Sequence, residues 1–145
     1  MSFDATLDLA PRPSVRALRL LFFLHALPLA LAMPVLGGGV RLVAFAVAVL
    51  GSWLWTRRHP AIGFGPRALT RLTWHADGHW ALHDASGTAQ EAVLAGESVV
   101  SGPALVLNFQ TARGRRTRIL LGDELPEPQL RRLRARLLAA RENRP

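Results

Sequence analysis

The sequence predicts an α+β membrane protein: an N-terminal two-helix transmembrane hairpin, then a small antiparallel β-sheet domain closed by a C-terminal amphipathic helix. Three observations predict it. Leu20 to Val40 carries no charged residue, and after the single Arg41 the run Leu42 to Trp55 is again uncharged. From Arg67 the apolar residues recur with period two. Near the end, Leu130, Leu133, Leu137 and Ala140 recur at helical spacing.

Residues 1–14 mix Asp4, Asp8, Pro11 and Pro13 with small residues, which predicts a short, weakly ordered cytoplasmic lead. The hairpin takes residues 15–58. Its first run reaches roughly 31 Å as a helix, enough for a bilayer core, and its second about 21 Å unless Arg41 snorkels. Trp53 and Trp55 close the second run at an interfacial position, with Arg57 and Arg58 next. The tight turn falls at Gly37-Gly38-Gly39. A signal peptide cleaved after Ala30-Leu31-Ala32 fits less well, because a second apolar run follows at once. A buried soluble hairpin also fits less well, since Pro28 and Pro34 would kink a helix that has no neighbours to satisfy the freed carbonyls.

Arginine sets the orientation. Arg12, Arg16 and Arg19 precede the hairpin and Arg57, Arg58, Arg67 and Arg71 follow it, whereas its turn region holds only Arg41. By the positive-inside rule both termini and the C-terminal domain lie in the cytoplasm, most simply of a bacterium with the hairpin in its inner membrane.

Residues 59–66, punctuated by Pro60, Gly63, Gly65 and Pro66, form a linker. The sheet domain fills residues 67–145. In its first hairpin a two-residue turn at Asp77-Gly78 would leave Trp80 on the polar face. A three-residue loop with Gly78 left-handed opposes Trp74 with Trp80 and Leu72 with Leu82. Thr88 to Leu94 and Glu97 to Val100 read as two short strands broken at Ala95-Gly96. After the turn at Ser101-Gly102-Pro103, the same three-residue logic around Ala112-Arg113-Gly114 predicts Leu107 facing Ile119 and Leu105 facing Leu121. Pro126, Pro128 and Glu127 suit the first turn of the last helix. In outline this looks like a pleckstrin-homology-type module tethered to a membrane hairpin, an analogy of shape.

Composition narrows the chemistry. The chain has 145 residues, a net charge of +8 and 18 basic residues, all of them arginine. Such a surface attracts anionic headgroups or acidic proteins; no nucleic-acid motif accompanies it. With no cysteine there is no disulfide framework, thiolate nucleophile or Cys-based zinc site. His75, His79 and His83 share a polar strand face, but His83 lies about 13 Å along the strand from His79, so a third metal ligand is missing. Asp77 reads as a turn residue. His25, inside the first apolar run, reads as a neutral histidine bonded to a backbone carbonyl, and no acidic residue of the hairpin could complete a proton relay. Ser86, Ser98 and Ser101 lack a nucleophile elbow, and Gly37-Gly38-Gly39 lacks the context of a phosphate loop. No catalytic residue, cofactor or metal is expected, so the chain reads as a non-enzyme. The strongest candidate surface is the basic helix, with Arg131, Arg132, Arg134, Arg136 and Arg141 exceeding what solubility needs. Arg131, Arg132 and Arg136 are expected on its outer side, and Arg134 and Arg141 beside the apolar stripe.

Layout and wording together resemble the YgfX/CptA family of small bacterial inner-membrane proteins. The resemblance rests on the Arg-flanked hairpin, LTWHADGHW from Leu72 to Trp80, the hydrophobic strand ALVLNF, and above all Ile119 to Leu137, ILLGDELPEPQLRRLRARL. Gly122 stands where the family often has a proline before the aspartate, here Asp123. The resemblance implies the toxin half of a toxin–antitoxin pair that disturbs cell division and shape through the protein partners FtsZ and MreB. It also implies a small soluble SdhE-type antitoxin that doubles as flavinylation factor for succinate dehydrogenase. The alternative it leaves is a non-toxic, membrane-tethered adaptor for that flavinylation.

Overall fold

A computed structural model describes residues 5–142. The extremes of the predicted lead and of the sheet domain, residues 1–4 and 143–145, lie outside that range. The two apolar runs form α1 (Val15–Leu36) and α2 (Val40–Thr56), joined at Gly37, Gly38 and Gly39. All three glycines have positive φ, a conformation costly for other residues, which is why the chain reverses there. Pro28 and Pro34 lie within a continuous α1. The helices pack antiparallel, and their apolar side chains point outward: Val35 is 82% and Val40 85% exposed. Only α1, at 22 residues, is long and apolar enough to cross a membrane among the described residues; α2 has 17. The expected pair of full spans is therefore met by one helix and a shorter companion.

The lead differs from expectation. Leu7–Leu9 form β1, which pairs antiparallel with β2 (Leu69–Trp74) and buries Leu7 and Leu9. Its composition looked structureless because a three-residue strand leaves too short an alternation to read. The linker holds a 3₁₀ turn at Pro60–Ile62. The sheet continues through β3 (Trp80–Asp84), β4 (Ala89–Leu94), β5 (Val99–Ser101), β6 (Ala104–Thr111) and β7 (Gly114–Leu120), all neighbours antiparallel. β4 and β5 follow one another along one side of β6, interrupted at Ala95-Gly96, and β7 takes its other side.

The first hairpin has the predicted register, Trp74 opposite Trp80 and Leu72 opposite Leu82, with Gly78 at φ +91°. The second does not. Thr111 opposes Gly114 across a two-residue loop, so Leu105 faces Leu120 and Leu107 faces Arg118. The Thr111 side chain explains the tighter turn: its hydroxyl donates to the Gly114 carbonyl (2.8 Å) and accepts from the Arg113 N–H (3.2 Å). One residue of slip exchanges the two faces of β7. It sends Ile119 to the other face and buries Arg118 completely.

The core lies between the sheet and α3 (Glu127–Glu142). Leu72, Leu82, Leu105, Leu107, Phe109 and Leu120 are essentially inaccessible, and Leu130, Leu133 and Leu137 of α3 close over them. Trp80 stacks on Trp74 (4.7 Å between centroids) and meets Phe109 edge-on (5.1 Å).

Candidate functional site

Two arrangements stand out: a joint where the hairpin meets the sheet domain, and the outward face of α3.

The joint begins with a helix whose N-terminus is capped from two places in the chain. The first turn of α1 contains no acidic residue, yet its N-terminal N–H groups carry partial positive charge. Ser14 supplies one acceptor, taking the Ala17 N–H at 3.0 Å. The other comes from far along the chain. Asp123, in the loop after β7, accepts the Ser14 hydroxyl at 2.7 Å and the Arg16 N–H at 2.9 Å. Arg16 returns a bond to the Leu121 carbonyl at 3.0 Å, and the Arg12 N–H donates to the Glu124 carbonyl at 2.9 Å. Burial opposes ionisation of Asp123, but the Arg16 N–H and the Ser14 hydroxyl outweigh it and hold the carboxyl below its ordinary range.

Below this cap lie two buried charged side chains, Glu124 and Arg118. Glu124 is 1% exposed and accepts from the Leu121, Gly122 and Asp123 N–H groups at 2.7–3.1 Å. Arg118 donates to the Arg12 carbonyl at 2.8 Å, while its Nε and Nη1 find no partner among the described residues. Burial pushes the Arg118 pKa down and the Glu124 charge opposes that. Its guanidinium occupies the space where a side chain on Gly63 would stand. Gly63 itself has φ +96° and ends the 3₁₀ turn after α2. A single arginine therefore touches the segment entering α1 and the segment leaving α2. The arrangement can transmit position between the two helices and the sheet domain.

The sequence pattern marks Asp123 and Gly122 without a role and Gly63 only as linker punctuation, and it points to none of Ser14, Arg118 and Glu124. A Ser directly before an apolar helical run is a legible N-cap signal. An arginine at the inward position of an alternating strand would have been legible only with the correct turn.

The α3 arginines divide. Arg136 lies over the Trp74 ring (4.3 Å) and donates to the Ala5 and His75 carbonyls (2.8 and 3.0 Å). Arg134 donates to the Pro103 carbonyl at 2.7 Å. Arg136 thus faces inward, not outward as its helical position suggested, because β1 brings Ala5 within reach. Arg131, Arg132 and Arg141 remain exposed, Arg131 with only a loose Glu127 contact at 3.4 Å.

The other candidates are placed as follows. His75 and His79 are exposed and share a backbone bond across the first hairpin, and His83 lies farther along β3. No group of three potential metal ligands forms among the described residues. His25 contacts the Leu21 carbonyl (2.8 Å) within α1 and the Ser52 hydroxyl of α2 (3.2 Å), so one ring nitrogen bonds its own helix and the other joins the two helices.

Comparison with known families decides the assignment. The family described as the membrane-bound toxin component of a toxin–antitoxin system matches residues 5–141. The chain belongs to that family. No curated relative and no solved structure matches it. The match to this CptA toxin family spans β1 and α1 through α3, so the joint and the arginine face both lie within the family's region.

Proposed function

We propose that this member of the CptA toxin family acts without catalysis, by binding protein partners at the exposed arginines of α3. Both termini and the sheet domain lie in the cytoplasm, α2 joins α1 in the inner membrane, and the joint holds the arginine face at a fixed distance from the bilayer. The targets are FtsZ and MreB, and the antitoxin is an SdhE-type protein. The family match over residues 5–141 carries this reading. The structure adds that Arg131, Arg132 and Arg141 point to solvent while Arg134 and Arg136 bond within the domain.

The test is overproduction of the full chain alone, with an SdhE-type protein, and as Arg131→Glu with Arg132→Glu. Overproduction alone should disturb cell shape, the SdhE-type protein should relieve it, and the double variant should bind its partner about tenfold less tightly at moderate salt. Undiminished binding by the double variant removes the arginine face. Normal cell shape, with less covalent flavin on succinate dehydrogenase after deletion, moves the reading to a membrane-tethered adaptor.

A further inference from the structure

A second concentration of arginine lies away from α3. Where β2 begins, β3 ends and β7 starts, a cavity of about 340 Å³ is lined by Arg67, Arg113, Arg115 and Arg116 around Asp84, with the Ser86 and Thr88 hydroxyls on its wall. Asp84 does not cancel this field. One of its oxygens accepts from Ser86 N–H, Ser86 hydroxyl and Thr88 N–H, and the other faces Arg116 at 3.6 Å. The carboxylate is 5% exposed, so it positions Arg116 from beneath rather than meeting a ligand. Among the described residues Arg115 is held by an exposed pair with Glu97, an interaction that contributes little in water. The guanidinium groups of Arg67 and Arg113 make no hydrogen bond to a described residue and are exposed. The cavity is thus walled by donors with spare capacity.

Its position identifies the ligand's source. The Ser86 N–H donates to the Pro66 carbonyl (3.0 Å) and the Ala85 N–H to the Ala68 carbonyl (2.9 Å), which ties the cavity wall to the linker. The linker folds back on the end of α2: a side chain on Gly65 would lie 2.9 Å from the Arg58 carbonyl. The cavity wall is therefore joined through the linker to the end of α2, the foot of the hairpin. Guanidinium forks match phosphate oxygens in pairs, and at the foot of a hairpin held in a membrane the headgroup phosphates are the most abundant such oxygens.

We propose that the Arg67–Arg113–Arg115–Arg116 cavity binds the phosphate of an anionic phospholipid headgroup. The inference rests on the hairpin lying in the membrane, as proposed above, and is independent of the partner face on α3. It implies that the domain is docked against the leaflet on one side while α3 stays free for proteins.

Native mass spectrometry of the full chain in detergent, with phosphatidylglycerol or phosphatidylcholine added, tests it. The wild type should retain phosphatidylglycerol in preference to phosphatidylcholine. Arg113→Gln with Arg115→Gln should lose about tenfold of that retention. Arg131→Gln with Arg132→Gln, an equal change of charge on α3, should retain phosphatidylglycerol as the wild type does. Arg67→Gln supplies a second cavity variant should the first fold poorly. Equal retention by the cavity variants, equal retention of the two lipids, or equal loss in the α3 variant overturns the proposal. Stabilisation by inorganic phosphate without lipid preference assigns the cavity to a soluble phosphate group instead and overturns the headgroup. Loss of an acidic partner protein with unchanged lipid retention overturns it in favour of a protein surface. Sedimentation of the same chain with membranes is scored separately, so a chain that sediments yet shows no headgroup preference removes the cavity assignment alone.

Discussion

The hairpin and the sheet domain spend the same apolar residues in opposite directions. In the sheet domain Leu72, Leu105, Phe109 and Leu133 lie inside, out of contact with solvent. In the hairpin α2 buries no residue and α1 buries only Ala17, next to the joint, while Phe23, Leu24 and Val47 are about two-thirds exposed (65%, 67% and 64%). A pair of helices this apolar outside and this thin inside has no core of its own, so its solvent must supply what a core would. The comparison teaches that stability in the sheet domain is a matter of packing and in the hairpin a matter of surroundings. Substitutions should therefore have large effects in and beneath the joint and small ones between α1 and α2.

The largest effect is expected at Gly63→Ala. The new methyl would need both a strained positive φ and the volume held by the Arg118 guanidinium. We expect a loss of about 3–5 kcal/mol in domain stability, read by denaturant unfolding through Trp74 and Trp80, with sedimentation in membranes unchanged. Adding Arg118→Met should recover part of it by removing the clash, and the φ strain should remain. An unfolding midpoint equal to wild type in Gly63→Ala would break the idea that Arg118 fills that space.

Asp123→Ala comes next. It removes the acceptor for Ser14 and Arg16 together and should cost about 1–3 kcal/mol. The same carboxylate predicts a pH dependence. Its folded-state pKa is below the ordinary 3.8, as is that of Asp84, which the Ser86 hydroxyl chiefly holds down. Such groups contribute stability that is complete above the unfolded value and lost as pH falls through the folded one. Wild type should therefore weaken below about pH 4, and Asp123→Asn should show a shallower slope there. An identical slope in Asp123→Asn would place the acid sensitivity elsewhere.

The same division explains what the sequence made legible. Long signals survived: the uncharged runs, the glycine turn, and the Trp74–Trp80 register, which only one loop length could make wholly apolar. The apolar stripe of α3 was equally plain. What failed was decided by single polar atoms. The Thr111 hydroxyl shortened a turn by one residue and thereby reversed β7, and nothing in the alternation of Leu105, Leu107 and Phe109 announces that. β1 was hidden because its partner lies 63 residues away, in the Asp8–Arg71 pair. The joint was invisible for a related reason. A helix N-terminus capped from a loop 107 residues later cannot be found by local pattern. Of the α3 arginines, the residue types could be read but not which of them the folded lead would draw inward.

The smallest expected effect sharpens the comparison most, because it uses the same substitution in both regions. Ser14→Ala and Ser52→Ala each delete one hydroxyl that bonds across the structure. Ser14 is 1% exposed and serves two partners, the Ala17 N–H and Asp123, so its loss should cost about 1–2 kcal/mol. The Ser52 hydroxyl bonds the His25 ring, at 3.2 Å, between helices whose apolar faces lie outward. Side-chain hydrogen bonds between membrane helices contribute about 0.6 kcal/mol on average, since the separated helices find other partners for the freed groups. His25 keeps the Leu21 carbonyl in either case. Unfolding of the full chain in lipid nanodiscs should then separate the two variants by a factor of about five in the ratio of folded to unfolded chains. Should Ser52→Ala prove as damaging as Ser14→Ala, the hairpin would owe its integrity to an internal contact after all, and the lipid would be only its container.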